Sequence, residues 1–405
     1  MKQAQVIIGS GYGDEGKGLA TDFYAAQFGE DALVVRFNGG AQAGHTVATP
    51  EGQRQVFSHI GSGSLTGAAT YLSRFFVCHP MLFLSEYQQL EALGVTPRVY
   101  VDGACPITTP FDVMFNQKLE ESRGVNRHGS CGLGFGETLE RHQHAAFRLV
   151  AADLNRPDCV VRILRAIRDH YVPQRLKALG LPGISDVARL PEIIERFVED
   201  CRIISSIVRI TDARILRTRF QLVFEGAQGL LLDMDRGTFP YVTRSNTGLK
   251  NVVTLAEEMG INELSVSYVS RWHATRHGAG PLPFELGALP YEDFEDHTNR
   301  PNAWQGSLRF GLLDADTLIA AVRADLADAG TRAIRHEWLI TWADKAPSDL
   351  RFVTLQDVVE RDLDELAYCL ATGTGAEAVR FAVGENRDKV TEAMTMLPTA
   401  AVIAA

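Results

Sequence analysis

Long apolar runs are missing from this chain, and none approaches the length that spans a bilayer. The first residues, Met1-Lys2-Gln3-Ala4-Gln5, lead directly into a strand-like segment without the apolar region of a secretion signal. No basic stretch with interleaved aromatics occurs, and the net charge is -10, which argues against nonspecific nucleic-acid binding. Cys78, Cys105, Cys131, Cys159, Cys201 and Cys369 are scattered, with no pair at metal-ligand spacing. In a chain of 405 residues they read as reduced thiols. These absences predict a cytoplasmic protein with no membrane or nucleic-acid partner.

Apolar residues make up 45% of the chain and charged residues 22%, which allows a large core. Length alone suggests two or three domains, although large α/β enzymes also form one unit. The run Gln5–Gly9 predicts a buried strand, Lys17–Phe28 a helix, and Ala32–Phe37 a second strand. Further strands are expected at Phe75–Cys78, Arg98–Asp102, Gln221–Glu225, Leu264–Ser270 and Trp338–Trp342. Helical patterns cover Pro80–Leu93, Cys159–Leu179, Leu190–Val208, Asp314–Ala327 and Val358–Leu370. The expected fold is α/β, a large, mostly parallel central sheet flanked by helices. We expect one domain over 1–405, with a helical excursion at about 105–215 and another at about 285–310.

Between the first strand and helix lies Gly11-Tyr12-Gly13-Asp14-Glu15-Gly16-Lys17-Gly18. Its glycines fit the dinucleotide fingerprint, but no acid ends the second strand to hold a ribose, which counts against a dehydrogenase. The segment also fits a phosphate-binding loop up to Lys17, after which Gly18 replaces the Ser or Thr that would hold magnesium. Asp14 stands inside the loop instead. A carboxylate among phosphate oxygens calls for a divalent ion between them, so Asp14 is a candidate metal ligand, base or both. Lys17 and the loop amides are candidate phosphate ligands. The plain alternative is a strand-to-helix turn with a solvated Asp-Glu pair. Gly39-Gly40-Ala41-Gln42-Ala43-Gly44-His45-Thr46 forms a second loop after the second strand, which should lie at the same sheet end. There His45 could donate to a phosphate oxygen, or simply be satisfied by loop backbone.

These loops, with Asp22 behind the first, resemble adenylosuccinate synthetase. Glu225-Gly226-Ala227-Gln228-Gly229, Leu232-Asp233, Gly237–Thr243 and Ser245-Asn246-Thr247 look like its central block. Thr275–Pro283 with Glu285, Thr341 with Asp344, and Gly384 with Asn386-Arg387 look like its later blocks. The resemblance implies a P-loop-related architecture and a homodimer. It implies GTP and magnesium as co-substrate and cofactor, and inosine monophosphate (IMP) as the purine substrate. Asp14 would take the purine N1 proton and, with the Gly44 carbonyl, hold magnesium. His45 and Lys17 would stabilise phosphate charge, and Gln228 would hold the purine near its 6-oxygen. Gly13, Glu15, Gly16, Gly18, Thr46 and Gly384 would contact GTP, and Asp344 would read guanine. Gln42, Ser130 and Thr243 would contact IMP, with Arg141 or Arg148 as the arginine lent across the dimer.

The resemblance weakens where the family grips L-aspartate through an arginine-rich loop. The matching stretch here is Ala303–Asp314, in which only Arg309 survives. Gly306 and Leu308 stand at two expected arginines, and Cys131 at a third. A dicarboxylate needs paired cations, and losing about three such partners at roughly 1.5–3 kcal/mol each would cripple aspartate binding. Gln42 replaces an asparagine, and Trp342 a lysine on the guanine side. The expected activity is GTP-dependent phosphorylation of a 6-oxopurine nucleotide, then displacement by an amine other than free aspartate, such as an amino sugar. Trp304, Gln305, Ser307 and Arg309 would form the amine loop. The alternatives are an authentic adenylosuccinate synthetase and a nonenzymatic nucleotide-binding regulator.

Overall fold

Val6, Ile7 and Ile8 are fully buried side by side, which only a strand covered on both faces allows. They belong to β1 (Gln3–Gly9) in a computed structural model that describes residues 3–184, 191–217, 220–287, 304 and 306–396. The next strands are β2 (Ala32–Arg36), β3 (His45–Ala48), β4 (Arg54–Phe57), β5 (Ala69–Leu72), β6 (Val99–Asp102), β7 (Arg209–Thr211), β8 (Gln221–Gly229) and β9 (Glu263–Arg271). Then come β10 (His273–Arg276), β11 (Glu285–Leu286), β12 (Arg309–Asp314), β13 (Ala333–Thr341), β14 (Leu350–Thr354), β15 (Asp357–Arg361), β16 (Ala378–Phe381) and β17 (Met394–Thr395).

Ten of these form the main sheet in the order β17-β16-β13-β9-β1-β8-β2-β5-β6-β7. The sheet is parallel throughout except for β17 at its edge. The large, mostly parallel sheet is therefore as the sequence predicts. β1 sits near the middle, so the loops after β1, β2, β8, β9 and β13 gather at one sheet end. In an open parallel sheet that end is where ligands bind. A smaller sheet of β10, β12, β14 and β15, with β11 beside β12, lies apart from the main sheet's hydrogen-bonding path.

Helices cover the sheet: α1 (Lys17–Ala26), α2 (Pro80–Ala92), α3 (Pro110–Arg123), α4 (Phe135–His142), α5 (Pro157–Ala166), α6 (Val172–Leu179), α7 (Pro191–Ile207), α8 (Leu249–Met259), α9 (Ala315–Ala327) and α10 (Leu363–Thr374). The helices α3 to α7 make up the excursion, and with β3 to β6 they share an apolar core that includes Phe111, Phe115, Leu164 and Phe197. No described helix is long and apolar enough to cross a membrane.

Two expected elements are corrected. In place of a strand at Phe75–Cys78 the sheet has β5 at Ala69–Leu72, while Phe75–Cys78 contributes only single bridges, Val77 to Gly40 and Cys78 to Ile107. Val358 and Val359 pair with Val353 and Phe352 in an antiparallel hairpin, as β-branched residues favour. The helix starts after Asp362, whose side chain accepts from Glu365 N at 2.8 Å as its N-cap.

Candidate active site

The loop after β1 is held from within and from both sides. Gly13 and Gly16 have φ of 98°, where a side chain is strained, and Asp14 joins them at 64°. Glu15 Oε1 accepts from the amides of Gly13 (2.7 Å) and Gly11 (3.1 Å), and Lys17 Nζ lies 2.5 Å from Glu15 Oε2. Both side chains are buried. Two amides and the lysine expected to meet phosphate are thus already gathered around a carboxylate. Thr341 Oγ1 donates to Glu15 O at 2.7 Å and Thr275 Oγ1 to Gly13 O at 2.9 Å. These bonds pin the loop to the ends of β13 and β10.

Asp14 sits at the mouth of this arrangement, its side chain 18% exposed. Arg271, at the end of β9, donates from Nη2 to Asp14 Oδ2 at 2.5 Å and from Nε to Asp14 O at 2.7 Å.

His45, at the start of β3, lies with Nδ1 2.6 Å from Glu225 Oε1 on β8. Ser62 donates to Glu225 through its backbone N and its hydroxyl, and Arg36 Nη1 stands 3.7 Å from Oε2. Burial alone would raise the Glu225 pKa, but the Arg36 charge and the hydrogen bonds donated by His45 and Ser62 hold it below the ordinary carboxylate range. Burial pushes His45 below its ordinary value, against the pull of Glu225 and with help from Arg36 and Lys17. The pair is therefore a neutral imidazole beside an ionised carboxylate, with the proton on Nδ1.

Gln228 stands at the end of β8 with φ of 59°. Its Oε1 is buried without a hydrogen-bond partner among the described residues, and so are both amide atoms of Gln42. Gln228 Oε1 is 3.6 Å from where a Cβ on Gly39 would stand, and Gln42 Oε1 3.1 Å from one on Gly40. The Gln228 amide oxygen and the Gln42 amide therefore flank the same glycine pair, beside the Asp14 loop. Native interiors rarely leave such groups unmet, so a polar partner, water or ligand, belongs beside them.

Nearby, three loops converge. A Cβ on Gly129 would lie 2.6 Å from Gly278 Cα, and one on Gly280 2.7 Å from Tyr241 Cβ. Ser130, which accepts from Asn116 Nδ2 at 2.7 Å, and Thr243, whose N donates to Leu232 O, are carried on these loops. Asp344 follows β13 on an exposed turn that begins at Trp342. Ala343 N donates to Ala382 O at 3.0 Å, which brings this turn beside the Gly384 segment. Arg387 Nη1 reaches back to Asp22 on α1 at 3.1 Å. Burial, only partly offset by Arg387, raises Asp22 to about 6.

Two expected ligands are placed otherwise. Arg141 is completely buried in the helical excursion. It donates to both Asp112 oxygens and to the carbonyls of Ile107 and Phe147, so no arm is left for a phosphate or a second subunit. Arg148 donates to His142 O. Arg309 is on β12, its Nε and Nη2 on Glu285 (2.8 and 2.5 Å) and its Nη1 on the Gly278 and Gly280 carbonyls. The one arginine that survives in the amine loop is thus bound within the protein. Trp304 packs over Gly132, where a Cβ would come within 2.9 Å of its Cδ1. Ser307 is exposed, and Gln305 lies outside the described residues.

The adenylosuccinate synthetase family model matches residues 6–329. The chain belongs to this family. The adenylosuccinate synthetase of Methylibium petroleiphilum is 34% identical over 296 residues, covering 69% of this chain and 63% of its own length. That of Xanthomonas campestris is 33% identical over 335 residues, covering 80% and 74%. Among solved structures, fully ligated adenylosuccinate synthetase from Plasmodium falciparum superposes with a TM-score of 0.72 at 18% identity, covering 96% of this chain and 99% of its own. Cyanophage S-2L succinoaminodeoxyadenylate synthetase, bound to dGMP and dATP as an energy donor, superposes at 0.62 with 17% identity, covering 98% and 96%. These two share the fold. Three residues around the family's glycine loops went unassigned in the sequence: Arg271, Arg36 and Ser62. Arg271 and Arg36 carry a readable signal, since each ends a strand at the chemistry-bearing edge of the sheet.

Proposed function

We propose that this protein is a GTP-dependent ligase that phosphorylates the 6-oxygen of IMP, or of a close 6-oxopurine nucleotide, and exchanges it for an amine. The reading is carried by one juxtaposition: the unpartnered Gln228 Oε1 and Gln42 amide beside the Asp14 loop. Gln228 and Gln42 hold the purine edge, and Asp14 takes the N1 proton, so that the 6-oxygen gains the electron density to attack the terminal phosphate. His45 faces the charge that develops as the β–γ bond breaks. Ser130 and Thr243 receive the substrate's own phosphate. Asp344 accepts from the guanine edge.

Among the described residues no group of three or more His, Cys, Asp and Glu side chains forms a metal cage. A sparse donor set, Asp14 and the carbonyl of exposed Gly44, fits a hard cation that takes its remaining ligands from phosphate oxygens and water. Bound there, magnesium would neutralise charge between the phosphates.

The amine is not free L-aspartate. Gly306, Leu308 and Cys131 offer no charge, and Arg309 is engaged by Glu285. The cyanophage synthetase, bound to dGMP and dATP, supports variation of the nucleotides on this fold and says nothing of a changed amine. The test is GDP release from GTP and IMP with a panel of amines, amino sugars included, and mass spectrometry of the purine product. Turnover with L-aspartate at a biosynthetic rate would overturn the amine assignment and favour an ordinary adenylosuccinate synthetase.

A further inference from the structure

The Arg271 guanidinium grips one residue twice. Nη2 holds the Asp14 carboxylate and Nε holds the Asp14 carbonyl, so side chain and left-handed backbone are fixed by a single planar group. The guanidinium carbon stands 4.7 Å from the centre of the Trp342 ring. Trp342 is itself held, its carbonyl accepting from Trp272 Nε1 at 3.0 Å. The Arg271 side chain is 5% exposed, behind the more exposed Asp14. Its Nη1 is buried without a hydrogen-bond partner among the described residues. Arg141, by contrast, is engaged on every arm by Asp112 and two carbonyls. Arg271 instead keeps an unsatisfied arm beside the reacting carboxylate, at a cost in free energy.

We propose that Arg271 is the positioning residue for Asp14. It sets the direction in which the carboxylate meets the purine N1, and Trp342 keeps the guanidinium plane from turning. The inference rests on the role of Asp14 as proton acceptor. A misplacement of about 1 Å costs on the order of 10²-fold in rate, whereas phosphate binding does not need this aim.

The experiment compares full-length D14N, R271A, R271K and W342A by kcat, KM for GTP and IMP, affinity for a fluorescent GTP analogue, and Tm. R271A is expected to lose kcat by about 10²-fold or more with KM for GTP and analogue affinity within about threefold. Arg271 lines a cavity of about 30 Å³, and R271A enlarges it, so millimolar guanidinium ion should recover kcat about tenfold. R271K should fall between, because an ammonium cannot hold carboxylate and carbonyl as one plane. W342A should show a smaller loss of the same kind. R271A within threefold of the parent kcat overturns the proposal. So does a loss of kcat that tracks loss of Tm and analogue affinity and is not restored by guanidinium. If D14N itself turns over normally, the reading of Asp14 fails, whatever Arg271 does.

Discussion

Glu225 Oε1 and His45 Nδ1 are 2.6 Å apart, both side chains are buried, and the carboxylate is the charged member. The imidazole therefore spends its only proton on Glu225, and Nε2 is bare. Arrival of an anionic triphosphate favours the imidazolium, which gives Nε2 a proton to donate. GTP binding near pH 7 should take up protons. Calorimetry in buffers of different ionisation enthalpy measures the number, and H45Q should reduce it by about one.

Asp14→Asn keeps the shape of the loop and the Arg271 contact while removing the base. Turnover should fall by about 10³-fold, with affinity for a GTP analogue altered by less than about tenfold. A nonenzymatic regulator would have no turnover to lose and would show only the binding change. Product formation by the parent protein with any amine, abolished in D14N, separates the two.

The amine loop offers a gain-of-function test. Gly306 has φ of 74°, so an arginine there carries backbone strain of about 1–2 kcal/mol even though its Cβ would meet open space. Leu308, half-buried in the stretch before β12, has no such barrier. L308R should raise aspartate-dependent GDP release above the parent level, and G306R/L308R should raise it further at a lower Tm. No gain in either variant would remove charge loss from the case against aspartate as the amine.

Arg141→Met leaves Asp112 buried and unpaired, which typically costs about 3–5 kcal/mol. Tm should drop strongly. The folded fraction should keep the parent KM for IMP within about twofold. A selective rise in that KM would return Arg141 to the phosphate site.

Asp325, sealed between α8 and α9, accepts from Leu249 N and the Tyr268 hydroxyl, both at 2.8 Å. Burial raises its pKa to about 7, from an ordinary 3.8, against those hydrogen bonds. Between these values the folded chain binds more protons than the unfolded one, so the contribution is present below about pH 4 and is lost as pH rises to about 7. The parent Tm should fall relative to D325N by a few degrees across that range. A constant difference would mean that Asp325 is ionised throughout.

In the central sheet β1, β2, β6, β8, β9 and β13 were legible as apolar runs near glycine, because a parallel strand buried on both faces needs little else. The smaller sheet was not. β15 reads Asp-Val-Val-Glu-Arg, a pattern that a helix accepts equally well until Asp362 is recognised as the cap that starts the helix one residue later. The placement of candidate residues was legible where they share one loop after a strand, as with Asp14 and His45. It was hidden where two distant segments meet. Neither Arg271 nor Glu285 announces its partner, because the contacts to Asp14 and Arg309 exist only after β9, β11 and β12 are placed. Arg141 misled for the same reason, since an arginine in sequence says nothing about whether its charge is already spent.

The division between the two sheets gives the chain an unequal capacity for change. Asp14, His45 and Gln228 hang from β1, β3 and β8, and β1 and β8 are stitched on both sides into ten strands, so drift there would unpick the core. Arg309 and its neighbours belong to β12 and the loop leading into it, outside that hydrogen-bonded array. A surface segment can therefore be rewritten while the residues hung from the central strands stay in place.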